Sequence, residues 1–314
     1  MKKIYIIALS LFSYSAFAQQ ESQYSQYFLN NYIVNPAVAG IDDFTEIKLS
    51  ARAQWVGLTD APKTAYISAT TPLDKVHTRM SKQRKQEGHN AIGGSVMAQN
   101  TGPLSMYSAY GSYAYHLPIG NGFMFSSGLA LGVKQFAVDR SRLNFGDNDA
   151  DKVTGNLTQT KPDASVGFFL YNKRFYAGLS GAQLFRNSMK LGEVTGGSYL
   201  NRHYFLSTGY RFTLNYDWDF TPSVMIKYVQ NAPVQVDING KFKYLNLFWL
   251  GGSYRKLDSF SAFAGIIVND MLEVGYCYDL TTSGLNKFSY GSHEILVGIR
   301  LPKNGNVICP SSFW

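Results

Sequence analysis

An alternation of period two recurs along most of this sequence, and it limits the chain to strands. Near the C-terminus, Ile295, Val297, Ile299 and Leu301 alternate with Glu294, Leu296, Gly298 and Arg300. Leu272, Val274, Tyr276 and Tyr278 alternate with Glu273, Gly275, Cys277 and Asp279. From Trp218 to Tyr228 the even positions are mainly apolar or aromatic and the odd ones mostly polar. Phe123, Phe125, Leu129, Leu131 and Val133 are separated by Gly, Met, Ser and Ala. Successive side chains of a strand point to opposite faces, so each segment has one apolar face and one polar or small face. About fourteen such segments occur, centred near residues 49, 67, 95, 110, 128, 166, 179, 208, 223, 238, 250, 263, 275 and 297.

Composition decides where those apolar faces go. Charged residues make up only 16% of the 314 and aromatics 15%, against about 25% charge in an ordinary soluble domain. Mean hydropathy is nevertheless near neutral, at −0.14, and no mature stretch offers the roughly 18–20 apolar residues of a spanning helix. A helical membrane bundle is excluded; so many aromatics argue against disorder. Two cysteines, Cys277 and Cys309, cannot make a disulfide scaffold, and nothing in the sequence indicates that they pair.

The connections then suggest a closed, transmembrane antiparallel β-barrel of about fourteen strands, an all-β fold spanning 44–301. Tight turns (118–122, 171–174, 215–217, 268–270) contrast with longer connections near 138–160, 185–202 and 280–292, which is the pattern of outer-membrane barrels. Strands of about 9–11 residues cross the hydrocarbon. Tyr and Trp at strand ends suit interfacial girdles. Closure pairs every backbone group, as lipid requires. The pattern predicts tight turns and both termini in the periplasm and long loops outside. A large soluble sandwich is the competing fold, and it explains the low charge less well.

Outside the barrel lie three shorter segments. Residues 1–18 read as a secretory signal: Lys2 and Lys3, an apolar run from Ile4 to Tyr14, and Ala16-Phe17-Ala18 as cleavage site. Residues 19–43 form a polar, aromatic leader in which Asn35-Pro36 blocks a continuous helix. Tyr24, Tyr27, Phe28, Tyr32 and Pro36 are expected to pack inside the barrel or across its periplasmic mouth; a flexible leader is the alternative. The tail, 302–314, either folds back onto the mouth through Phe313 and Trp314 or presents its terminal aromatic for barrel assembly.

One expected periplasmic turn is unusual. In Leu73 to Gly88, five basic residues (Lys75, Arg79, Lys82, Arg84 and Lys85) face two acidic ones (Asp74 and Glu87), a net +3. It reads as a solvated loop or as a docking surface for an acidic partner. The formal net charge of +8 could suggest nucleic acid, but an exported barrel makes a protein-docking patch the better reading.

No catalytic constellation emerges, so no enzyme and no cofactor is expected. The five histidines (His77, His89, His116, His203 and His293) lack metal-ligand spacing, and no G-x-S-x-G, Walker loop or H-E-x-x-H occurs. His293-Glu294 reads as a structural pair opening the last strand. Inward positions carry many Gly, Ser and Ala with no ring of one charge sign, a pattern that names no solute.

Three stretches carry a family resemblance: QYSQYFLNNYIVNPAVAG (Gln23 to Gly40), QWVGLTDAPKTAYISATTPL (Gln54 to Leu73) and GYCYDLTTSGLNKFSYGSHEILVGIRL (Gly275 to Leu301). With GYRF at 209–212 and PSVMIK at 222–227, the mature chain resembles the PorP/SprF family of the type IX secretion system. The long basic segment is the departure from that pattern. The resemblance implies an outer-membrane component without catalytic residues. Its implied partners are a secreted adhesin or other type IX substrate, periplasmic ring lipoproteins and outer-membrane lipid, in export or gliding. A porin or hydrophobic-solute channel is the alternative function. An open, conducting lumen would favour it; a filled one would not.

Overall fold

The structure is a computed structural model that describes residues 29–74, 87–142, 157–185, 187–189, 198–230, 232–256 and 258–302. Fourteen strands build one sheet: β1 (Phe44–Ala53), β2 (Lys63–Pro72), β3 (His89–Thr101), β4 (Leu104–Gly120), β5 (Phe123–Val138), β6 (Leu157–Tyr171), β7 (Phe175–Ala182), β8 (His203–Tyr210), β9 (Trp218–Val229), β10 (Gln235–Tyr244), β11 (Phe248–Arg255), β12 (Ser259–Val268), β13 (Leu272–Thr281) and β14 (Ser292–Pro302). Each pairs antiparallel with its neighbours in the chain, and β14 returns to β1, from Phe44↔Pro302 to Ala53↔His293. The sheet is therefore closed, without a free edge. Phe212–Thr213 extends the β8 side against β9, and Ser188–Met189 pairs with Ser198–Tyr199 apart from the barrel.

Burial runs opposite to that of a soluble protein. On β1, Lys48, Ser50 and Arg52 are buried while Leu49 is exposed. Ile67, Val96, Leu131, Leu179, Leu206, Ile238, Ile266 and Ile295 are exposed in the same way. An apolar band of this extent needs a hydrocarbon solvent. This inversion decides against the sandwich, whose apolar faces would meet in a core.

Aromatic clusters edge the band. Near the end that carries residues 44 and 302, Trp218 packs on Tyr244 and Phe248 with ring centroids 5.0 and 5.8 Å apart. Near the opposite end, Tyr254 meets Phe260 at 4.7 Å, and the Tyr276 hydroxyl lies 2.6 Å from His293 Nδ1. His293 thus faces outward while Glu294 is buried inside, so the two side chains serve opposite faces of β14.

Turns at the terminal end are mostly short (121–122, 172–174, 245–247, 269–271), and Asn121, Asn269 and Asp270 hold the left-handed φ that such turns need. The opposite end bears the longer connections 139–156, 183–202 and 282–291, but also the tight 102–103 and 256–258. Segregation by loop length is thus partial.

Candidate functional site

The barrel interior is the candidate site, and it holds part of the chain itself. Residues 29–41 run along the inner faces of β1–β7 as two 3-10 turns, Asn31–Ile33 and Pro36–Val38. Asn35 separates them. Its side-chain oxygen accepts from Ala37 N at 3.0 Å, capping the second turn, and Pro36 follows where no N–H is needed. Asn35 Nδ2 also donates to the Phe168 carbonyl at 3.1 Å.

Every strand of this half of the wall holds the segment. Lys48 on β1 donates to Leu29 O. Asn30 donates to Ser68 Oγ on β2 at 3.0 Å, and Tyr32 shares a 2.8 Å bond with Ser112 on β4. Ser126 on β5 donates to Ala37 O at 2.7 Å, and Ser180 on β7 to Val34 O at 2.6 Å. His89 on β3 and His116 on β4 are register partners, stacked 4.2 Å apart. Their Nε2 atoms lie 3.1 and 2.8 Å from the Gly40 and Ala39 carbonyls. A carbonyl only accepts, so each Nε2 carries the proton, and His116 Nδ1 is left to accept from Tyr171 OH at 2.8 Å. Backbone carbonyls that so short a segment cannot satisfy by itself are thus met by the wall.

Small inward side chains make the approach possible. A Cβ at Gly128 would lie 2.5 Å from Ala37 N, and one at Gly93 2.8 Å from the Tyr32 ring. Gly167 faces Asn35 and Pro36 just as closely. The Gly, Ser and Ala of the inner face therefore make room for the leader. Burial raises the Tyr32 hydroxyl above its ordinary pKa, partly opposed by its bond to Ser112.

The other half is filled differently. Met225, Trp249, Phe263 and Leu296 pack with Leu29 and Tyr66 into an apolar cluster. Around it stand buried ion pairs: Arg52 with Asp279 at 2.6 Å and Glu294 at 3.2 Å, Asp237 with Lys227 at 3.0 Å and Arg255 at 3.3 Å, and Arg300 with Glu273 at 2.7 Å. Glu273 also accepts from Trp249 Nε1 at 2.8 Å. Cys277 is a buried free thiol, 3.3 Å from Asp279.

Of the residues singled out in the sequence, Tyr32, Asn35 and Pro36 lie together in this interior. Tyr24, Tyr27, Phe28, Lys75, Arg79, Lys82, Arg84, Lys85, Phe313, Trp314 and Cys309 lie outside the described residues, as does the signal segment. Sequence reasoning missed His89, His116, Ser126 and Ser180. Spacing along the chain hides the two histidines, which are partners only in the register of β3 on β4. Among the described residues no group of three or more His, Cys, Asp or Glu is placed to hold a metal.

Apolar outside, polar inside and closed, this chain is an outer-membrane β-barrel. Solved structures share the fold. A FadL homologue of Pseudomonas aeruginosa matches at TM-score 0.50 and 10% identity, over 86% of this chain and 93% of its own. The toluene transporter TodX of Pseudomonas putida matches at TM-score 0.50 and 10% identity, over 89% and 94%. At such identity the likeness concerns the fold alone. A comparison with curated proteins found no match. The family described as Type IX secretion system membrane protein PorP/SprF matches residues 16–299. The chain belongs to the PorP/SprF family, whose description makes it a membrane component of type IX secretion.

Proposed function

We propose that this barrel is a non-enzymatic docking component of the type IX system, holding protein partners at its rims instead of passing solutes. The carrying observation is the interior, where residues 29–41 and the ion pairs occupy both halves. A 14-stranded barrel lies between the filled 8-stranded ones and the 16–18-stranded porins, so what fills it decides whether it conducts. With residues 19–43 as its plug, the barrel offers its rims for function.

In this reading the end that carries residues 44 and 302 is periplasmic, and both termini lie on that side of the membrane. There the segment with Lys75, Arg79, Lys82, Arg84 and Lys85 meets acidic surfaces of ring lipoproteins, beside the tail with Phe313 and Trp314. The opposite rim takes a secreted substrate such as a gliding adhesin. On that rim Tyr290 and Phe288 are 79% and 68% exposed. Their loop is tied down by Val56 N to Gly291 O at 2.8 Å and Tyr290 N to Val56 O at 2.7 Å. Exposed aromatics on a fixed loop suit a protein interface.

Copurification from mildly solubilised membranes tests the proposal. An adhesin or ring lipoproteins should accompany the barrel, and replacing the five basic residues with Gln should release the lipoproteins alone. A barrel that emerges without either partner, and conducts ions in planar bilayers, is a channel instead.

A further inference from the structure

Between residues 29–42 and the wall lies a cavity of about 60 Å³. The leader lines one side through Asn30, Tyr32 and Ile41, and the wall contributes Lys241, Glu273 and Arg300. It lies toward the terminal end of the barrel, because β1 begins and β14 ends beside it. Asp42 and Glu46 at its edge are only partly buried, which leaves a path from solvent.

The charged groups lining it are equal in number, Lys48, Lys241 and Arg300 against Asp42, Glu46 and Glu273, but their hydrogen bonds are not all met. Glu46 pairs with Lys48 at 2.8 Å, and Arg300 Nη2 with Glu273 at 2.7 Å. Glu273 Oε1 already accepts from Trp249. Arg300 is 4% exposed, and its Nε and Nη1 are buried donors with no acceptor. Lys241 is 7% exposed and lines the cavity, and Lys243 stands two residues further along β10. A buried ammonium and guanidinium donors without an acceptor leave a place for an anionic partner.

We propose that this cavity binds a small oxyanion, a carboxylate or a phosphate group, between Lys241 and the unpartnered N–H donors of Arg300. The guanidinium offers N–H donors that Glu273 does not use, and the lysine adds a compact charge. The volume admits a few water-sized units, which fits acetate or inorganic phosphate and excludes a large organic anion. Because the leader forms one side, the bound anion would also join the leader to the wall. The site does not depend on the secretion role.

The test is calorimetric titration of the full chain in detergent micelles with sodium acetate and, separately, sodium phosphate, at ionic strength fixed with sodium chloride. A saturable isotherm is expected for at least one of them. Acetate alone identifies a carboxylate site, phosphate alone a phosphate site. Lys241→Gln should weaken the binding at least tenfold, and Arg300→Gln should abolish it. Arg300 also holds Glu273, so if R300Q fails to fold, K241Q alone decides. No saturable binding of either anion overturns the proposal. So does binding that K241Q leaves unchanged, which would mark an adventitious ion only.

Discussion

The interior is most sensitive at single positions where an atom has nowhere to go. Gly128 and Gly167 lie against Pro36, Ala37 and Asn35, so a larger residue there must push the leader off the wall. Gly128→Val and Gly167→Val should each destabilise leader packing by about 1–3 kcal/mol, as overpacking does. The readout is faster proteolytic cleavage within residues 29–43 while the barrel stays intact. Arg52 is the opposite case, a buried group whose loss leaves partners behind. It holds Asp279 and Glu294, all three at most 4% exposed. Arg52→Ala would take a cationic partner from both buried carboxylates and should cost about 3–5 kcal/mol. A lower temperature for the heat-induced gel-mobility shift of the barrel would record it. Arg52→Lys keeps the charge but loses the fork that spans both carboxylates, and should fall between.

At the level of elements, the strands were legible in the sequence and the leader's anchoring was not. Period two is a local property of a chain whose two faces meet different solvents, so all fourteen segment centres fall within the observed strands. The expectation of an unusual basic connection concerned residues 73–88, of which 75–86 lie outside the described ones. Tyr32 and Asn35-Pro36 were visible as aromatic and helix-breaking signals. Their wall partners were not: Ser112, Ser126 and Ser180 meet the leader across 80 to 146 residues of sequence, and no local pattern carries that pairing. Nor does sequence reveal that β3 and β4 set His89 beside His116. The leader's retention carries its own pH signature. Tyr32 has its pKa raised by burial in the folded state, so its contribution is complete below the ordinary value of about 10 and is lost as pH rises toward the folded one. Leader protection from protease should therefore be flat at neutral pH and fall in strong alkali. Tyr32→Phe should remove that part of the fall, and an unchanged profile would place the sensitivity elsewhere.

On the scale of the whole molecule, the wall and its contents are separable in energy. The wall closes through backbone pairing on all fourteen strands, and the ion pairs of β8–β14 involve no leader residue. The groups that hydrogen-bond the leader, Lys48, Ser68, His89, Ser112, His116, Ser126 and Ser180, are polar, while Met124, Phe169, Tyr171 and Tyr176 pack on its Ala37 and Ile41. Once the leader is gone the polar groups can turn to water, which avoids the penalty of buried unpaired groups. A chain lacking residues 19–43 behind its export signal should therefore still insert as a barrel. Its β1–β7 half would then be lined by small residues such as Ala91, Gly93, Ala114 and Gly128 beside Met124, Phe169, Tyr171 and Tyr176, with water in place of the leader. Planar-bilayer recordings should show steady conductance for this variant and none for the full chain. Adding a synthetic peptide of residues 19–43 should reduce the current. Equal conductance from both chains would mean that ions pass beside the leader, and the docking function would lose its structural ground.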